Sequence, residues 1–411
     1  MYGARDTLFS VNGSTCALLA AISAAVPKGG TVLIERRSHM AVYHAAYLRE
    51  LDVAYVEDAG FDAEDIDAGK SIDAVVITSP TYEGCMKDVS GWAEYAHANG
   101  AVLIVDEAHG AHLGFHPYFP ESAARCGADL VVQSTHKTLP AMTQTALLHN
   151  VTGRVPTGKL HFFMDIYETS SPSYVLMASI TSSLRLVRER GDEFFAAYAE
   201  RLRKVRRELC SLKHFRLAGG EDAVLGFDNE LPPHKAGTVM DPGKLVLVPR
   251  HFRKISERYG AAWLYDELRD GYHLQMEMRT DTYCLAMTSI ADSDEGFGRL
   301  VAAMREIDER VENDSQRRDC GKQKDIGHRE EIVKVSVVRT EKEGCMKIFA
   351  ALDAPSETIN LADAAGRICA DFVILYPPDV PLIVPGEVYT EEKADEILGW
   401  IERGFSVMGA G

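Results

Sequence analysis

Short apolar runs alternate with helical patterns through the first 150 residues, and this alternation constrains the fold more than any other feature of the chain. Thr31–Glu35, Asp52–Glu57, Ala74–Thr78 and Val102–Asp106 are apolar and β-rich, and Leu130–Gln133 and Ala146–His149 continue the series. The helical patterns Thr15–Ala25, Ala41–Glu50 and Gly91–Asn99 are interleaved with them. Strands that are apolar on nearly every residue are buried on both faces. With intervening helices they predict an α/β fold built on a mainly parallel sheet. Ligands of such sheets bind beyond the carboxyl ends of the strands, so the polar residues there define where chemistry is to be sought.

Four strand ends carry ionisable or hydroxyl groups. They are Arg36-Arg37-Ser38-His39, Ser79-Pro80-Thr81-Tyr82-Glu83-Gly84, Asp106-Glu107-Ala108-His109 and Ser134-Thr135-His136-Lys137. A lysine amine at a strand end can form a Schiff base, and neighbouring Ser, Thr and His can hold a phosphate. Both properties suit pyridoxal phosphate; the alternative for Lys137 is a solvated surface lysine. A carboxylate such as Asp106 can hold a pyridine nitrogen protonated, or cap the segment that follows. Asn12-Gly13-Ser14-Thr15 opens a helix, and reads either as an anion site or as an ordinary Ser/Thr N-cap. His39 can stack on a flat ring or sit as an ordinary surface or core histidine.

Other chemistries are disfavoured. The net charge of −17 argues against nucleic acid or an anionic membrane as main partner. Eight cysteines are scattered without a CxxC pair, which suits a reducing compartment and a cytoplasmic location. No apolar run reaches the ~18 residues of a membrane span. His109, His112 and His116 are closely spaced, but glycines at 110 and 114 favour loop and no helical ligand set is present, so no metal is expected. Glu64–Ser71 ends in GKS, yet a phosphate loop needs glycine where Glu64 stands, and Glu64, Asp65 and Asp67 repel phosphate.

Further along, Leu184–Leu212 reads as a long charged helix, and 213–300 as mixed short strands and helices. The charge-dense stretch 306–343 reads as an exposed connection with one apolar run, Ile332–Val338. Three prolines within 377–381 preclude a regular helix there, and Glu391–Arg403 closes the chain as a helix. The expected units are a large cofactor-binding domain over 1–185, a helical connection with a small α/β region over 186–310, a charged linker over 311–345, and a C-terminal domain over 346–411.

VNGST at 11–15, VDEAHGAH at 105–112, GADLVVQSTHKTLPAMTQ at 127–144, SSPSY at 170–174 and YPPDVPLIVPGE at 376–387 occur in order. Together they resemble the Orn/Lys/Arg decarboxylase family. The resemblance implies a pyridoxal-phosphate enzyme of the aspartate aminotransferase type (fold type I), with a smaller α/β C-terminal domain. It implies decarboxylation of a basic amino acid, arginine ahead of lysine and ornithine, giving agmatine, cadaverine or putrescine. By position, Lys137 corresponds to the Schiff-base lysine, Asp106 to the pyridine-nitrogen partner and His39 to the ring-stacking histidine. Ser14, Thr15, Ser134 and His136 correspond to phosphate contacts, and His109 lies near the cofactor. Lys137 or His136 is expected to return the proton to the substrate carbon. Ser171 and Ser173 fall in a segment that approaches the site from a neighbouring subunit, implying a homodimer. Another PLP reaction such as transamination, or a non-catalytic homologue, remains open. Family members carry several dozen residues, including a stretch resembling FHMPGHK, ahead of the point where this sequence begins. The chain is therefore expected to lack an N-terminal segment that helps build the dimer and pocket. It also departs from the family in Arg37-Ser38, and in Asp379 where glycine is usual and a positive φ is expected.

Overall fold

The computed structural model describes residues 1–56, 71–226, 231, 234–250, 259–316, 333–340, 344–376 and 379–410. Residues 64–70 of the GKS stretch, 317–332 and 341–343 of the charged connection, and Pro377–Pro378 lie outside the described residues.

The first sheet contains β1 (Asp6–Ser10), β2 (Thr31–Glu35), β3 (Asp52–Val56), β4 (Ala74–Thr78), β5 (Val102–Asp106), β6 (Leu130–Ser134) and β7 (Ala146–Asn150). Its order is β1-β7-β6-β5-β4-β2-β3. From β3 through β6 the pairing is parallel, while β7 is antiparallel to both β6 and β1. This is the mainly parallel α/β sheet that the apolar runs predict. The strand β1 is absent from the sequence reading because Asp6-Thr7-Leu8-Phe9-Ser10 is half polar. It is an edge strand that leaves Phe9 exposed.

The flanking helices are α1 (Gly13–Ala25), α2 (Met40–Leu48), α3 (Val89–Ala98), the single turn α4 (Thr135–Thr138) and α5 (Thr157–Tyr167). Helix α1 is apolar almost all round and buried accordingly: Ala17, Leu18, Ala20, Ala21 and Ile22 pack into the core between sheet and helices. Its small residues let α2 and α5 approach closely.

Helix α6 (Tyr174–Cys210) carries the chain into a second unit. It begins ten residues before the charged pattern at Leu184, because Ser173 caps it by accepting from Leu176 N. The second unit has β8 (Phe215–Leu217), β9 (Lys244–Pro249), α7 (Ala261–Tyr272), β10 (Met278–Arg279), β11 (Cys284–Met287) and α8 (Asp294–Gln316). Its strands form an antiparallel sheet in the order β10-β11-β9-β8. Leu202, Leu209, Leu247, Leu264 and Ile307 join that sheet to its helices.

The last part holds β12 (Lys334–Val338), α9 (Ile348–Leu352), β13 (Ser356–Asn360), β14 (Val373–Tyr376), β15 (Val380–Ile383), α10 (Glu391–Glu402) and β16 (Ser406–Met408). Strands β12 and β13 pair, and β15-β14-β16 form a three-stranded sheet. Arg36, at the end of β2, ties this part to the first sheet. Its Nη2 donates to Glu387 Oε2 at 2.9 Å and to Leu382 O at 3.3 Å, and Nη1 donates to Tyr43 Oη at 3.1 Å. No helix among the described residues is long and apolar enough to cross a membrane.

Candidate active site

The carboxyl ends of β2, β4, β5 and β6 converge on a cavity of about 560 Å³. Its lining includes Ser14, His39, Asp106, His109 and Lys137 from the first unit, residues 234–239 from the second, and Val380 from the last. Main-chain pairing clips the second unit to the rim: Met86 N donates to Val239 O and Asp241 N to Gly84 O.

Asp106 ends β5 and is 3% exposed, so a charged carboxylate here needs a partner. Its Oδ1 accepts from Ala108 N at 3.1 Å. Burial pushes the carboxyl up, against the opposing pull of His39 and Lys137. The next turn brings His109 over the cavity. Gly110 is required in that turn, because a β-carbon there would stand 2.5 Å from Glu107 Cγ and 3.0 Å from Pro80 Cδ.

Lys137 lies in α4, directly after β6, and its Nζ is 2.9 Å from His109 Nε2. Burial lowers the amine below the ordinary lysine range, while Asp106 and Glu277 pull it back up. The chain turns sharply after Lys137. Thr135 N donates to Thr145 O at 3.1 Å and Thr135 Oγ1 to Thr145 Oγ1 at 2.7 Å, fixing α4 on the strand end.

The other anticipated residues divide into two groups. Ser14 lines the cavity at the start of α1, whose Asn12 makes no side-chain cap and whose first turn has no acidic residue. Those amides therefore suit an anion. Ser134 Oγ is buried without a protein hydrogen-bond partner, as a ligand contact would be. His39 accepts from Ala41 N at Nδ1 (3.1 Å), which leaves the ring proton on Nε2, 3.4 Å from Asp379 Oδ2. Asp379 has φ 67°, the left-handed conformation expected for that position. Thr15, by contrast, is exposed and off the cavity. His136 is turned away: its Nδ1 donates to Thr145 O at 2.9 Å, and it does not line the cavity. Ser171 and Ser173 are exposed ahead of α6.

The three closely spaced histidines separate. His109 goes to Lys137, His112 Nε2 pairs with Asp241 Oδ1 at 3.1 Å, and His116 Nδ1 accepts from Tyr118 N.

Four groups at the site were given no individual role in the sequence reading, although Glu35, Tyr82 and Glu83 lie in its strands and strand ends. Lys244, the first residue of β9, is 1% exposed, and its Nζ reaches His109 Nδ1 at 2.8 Å. The visible signal is a lysine heading the wholly apolar run Leu245–Val248. Tyr82 packs its ring against His109 at 4.7 Å between centroids. Glu83 is buried, accepts from Tyr283 Oη at 2.7 Å and lies 3.5 Å from Arg37 Nη2. Glu35 pairs with Lys87 at 2.5 Å and accepts from Thr78 N.

The arrangement combines an amine of lowered basicity, a buried carboxylate on the next strand, and a helix N-terminus with hydroxyls. It suits an aldehyde-bearing, phosphorylated pyridine, because each orphaned or uncompensated group would gain its partner.

Comparison with known proteins identifies the family. Residues 1–222 match the Orn/Lys/Arg decarboxylase major domain, and residues 341–403 match the C-terminal domain of the same family. The chain is 26% identical to an arginine decarboxylase of Bacillus anthracis over 99% of its own length and 80% of that protein. Its fold superposes on the constitutive lysine decarboxylase of E. coli with a TM-score of 0.76 at 20% identity, covering all of this chain and 69% of that one. An SPT structure containing PLP superposes with a TM-score of 0.57 at 16% identity, over 76% of this chain and 74% of the other. The chain belongs to the Orn/Lys/Arg decarboxylase family and is, through that membership, an amino-acid decarboxylase.

Proposed function

We propose that this chain removes CO2 from a basic amino acid, arginine first, then lysine or ornithine, using pyridoxal phosphate carried on Lys137. The observation that carries this reading is the convergence of Lys137, Asp106 and His109 on one cavity, with Ser14 at the start of α1 in its wall. Arginine is ranked first because the Bacillus relative is an arginine decarboxylase.

When bound, the cofactor supplies an electron-accepting ring for the electron pair left by departing CO2. Lys137 Nζ offers the amine for covalent attachment. Asp106 holds a proton on the ring nitrogen, and the opposite charges offset the cost of burying its carboxylate. Ser14, the α1 amides and Ser134 Oγ hold the phosphate. His39, steadied by Ala41 N and Asp379, flanks the ring. Lys137 is the better candidate to return a proton to the substrate carbon. His136 has Nδ1 committed to Thr145, and burial lowers its basicity, so its Nε2 seldom carries a proton.

We also read the protein as a cytoplasmic homodimer. Tyr174 is 82% exposed, Val175 65% and Phe162 59%, an apolar surface of the kind a partner subunit covers. Sedimentation of the purified chain measures this; a monomer at micromolar concentration contradicts it.

The test is to add pyridoxal phosphate, record the visible absorption of cofactor attached to lysine, and measure CO2 from each of the three amino acids. Absorption lost in Lys137→Ala, with CO2 from one substrate, is the expected result. Folded protein that shows no absorption contradicts the proposal.

A further inference from the structure

His109 is held between two lysines. Its Nε2 faces Lys137 Nζ at 2.9 Å and its Nδ1 faces Lys244 Nζ at 2.8 Å. An ammonium only donates, and a neutral imidazole has one N–H and one lone pair. Two ammonium groups therefore cannot both hydrogen-bond to a neutral His109, because one would meet the ring N–H head on. A doubly protonated ring with two neutral amines satisfies the geometry, but burial and the neighbouring Lys244, Lys137, His39 and His136 hold His109 well below the ordinary histidine range. At least one of the two lysines must therefore be a neutral amine, and where the other is charged it donates to the ring while the ring donates to the neutral one.

The surroundings decide which lysine keeps the charge. Burial lowers Lys244 to about 8, against the opposing pull of Asp241, Glu277 and Glu83, and its Nζ lies 5.7 Å from the centroid of the Tyr82 ring, a contact that favours a cation there. Asp241 is itself held in the charged form despite its burial, chiefly by His112 and Lys244. Lys137 has Asp106 and Glu277. Once Asp106 is paired with a ring nitrogen, its charge is spent there, and Lys244 becomes the better home for the proton.

We propose that Lys244 is a positioning residue: its ammonium donates to His109 Nδ1, fixes the ring proton on Nε2, and so holds Lys137 Nζ as the neutral amine. This rests on the reading that Lys137 captures an aldehyde cofactor. With the cofactor bound, Lys137 would turn the Nζ lone pair from His109 to the aldehyde carbon. Lys137 Nζ then forms a bond to that carbon, the carbonyl oxygen leaves as water with the two amine protons, and a C=N bond remains. A protonated Lys137 has no lone pair for the first of these events. Lys244 does not line the cavity; it acts through His109.

The experiment uses Lys244→Met, which keeps the length and apolar stem but removes the donor. Pyridoxal phosphate is added to the unmodified and variant chains across pH 6–10, and the rate of appearance of the visible absorption is followed. In the variant Lys137 is free to keep its own proton and donate it to His109. The pH midpoint of capture is therefore expected to rise by about one unit, a tenfold slower capture on the acid side of the profile. A uniformly slower capture with an unmoved midpoint marks a merely structural role and overturns the proposal.

A second measurement needs no variant at Lys244. In the unmodified chain labelled with ¹⁵N-histidine and saturated with 4'-deoxypyridoxine phosphate, which keeps the ring nitrogen and phosphate but has no aldehyde, the His109 signal, assigned by its loss in His109→Gln, is expected to report a proton on Nε2 alone. A proton on Nδ1, or on both nitrogens, overturns the proposal even if Lys244→Met does not fold. Absence of visible absorption in the unmodified chain would instead refute the cofactor reading on which the proposal rests.

Discussion

Arg206 is among the largest fully buried side chains of the molecule, and its removal should test how the lysine behind His109 is held. The guanidinium lies under the second unit and points at main-chain carbonyls. Nη2 donates to Gly220 O at 2.6 Å and to Ala218 O at 3.2 Å. Nη1 donates to Pro242 O at 3.2 Å and to Lys244 O at 3.5 Å, and Nε reaches Glu221 O at 3.4 Å. Arg206→Met fills similar space and removes the donors together with the buried charge. The carbonyls of Ala218, Pro242 and Lys244 are then left without these bonds, each costing about 1–3 kcal/mol. Loss of the buried cation returns part of this, since its desolvation is no longer needed. A net loss of about 3–5 kcal/mol follows, a large share of the roughly 5–15 kcal/mol that holds a typical domain together. In urea, with a slope of about 3 kcal/mol per molar, the midpoint should fall by about 1 M or more. Because 242–244 loses its anchor, cofactor capture should also slow. A midpoint within about 0.3 M of the unmodified chain, with capture unchanged, refutes the reasoning, since the slope then converts to less than about 1 kcal/mol.

Three further outcomes are expected. Gly386→Ala puts a β-carbon 2.2 Å from Met346 O at a φ of 93°, so the C-terminal part should loosen and be cleaved faster in limited proteolysis. Asp379→Gly relieves about 1 kcal/mol of left-handed strain, so thermal stability should hold or rise while cofactor affinity falls through the loss of the His39 contact. Burial pushes the Glu107 carboxyl up to about 7 despite bonds from Ala123 N, Gln133 and Ser122. The folded chain then binds this proton more tightly than the unfolded chain. Its contribution is full below pH ~4.5 and is lost as pH rises through 7, about 3 kcal/mol in all. Unfolding free energies between pH 5 and 8 should show that fall, and Glu107→Gln should flatten it.

The inner strands β2, β4, β5 and β6 were legible because each is a mostly apolar run rich in β-branched residues and largely buried, so pattern and burial coincide. Thr31–Glu35, Ala74–Thr78 and Val102–Asp106 have the same ends in sequence and structure. The edge strand Asp6–Ser10 was not legible, since only two of its five residues are apolar. At the site, Lys137, Asp106 and His109 declared themselves as polar groups at the ends of apolar runs. Lys244 did not, and Tyr82, though in a polar strand end, was given no role, because what makes both part of the site is a long-range docking that no local pattern encodes. Clipping of 81–86 onto 239–241 sets Tyr82 against His109, and the same contact seats Lys244 behind it. The orientation of His136 toward Thr145 was equally hidden, as it depends on the turn after α4 rather than on the STHK stretch.

The hairpin that presents Asp379 to His39 and Val380 to the cavity has a consequence for synthesis of the protein. Lys137 emerges from the ribosome about 240 residues ahead of Val380. At about 5–20 residues per second, roughly 12–50 s separate the arrival of the reactive amine from that of the last piece of its wall. During that interval the strands of the first sheet can form, yet His39 lacks its carboxylate partner and Arg36 lacks Glu387. The nascent chain thus carries Lys137 before it has a closed pocket, and only the final stretch of translation seals the chamber in which that lysine is meant to react.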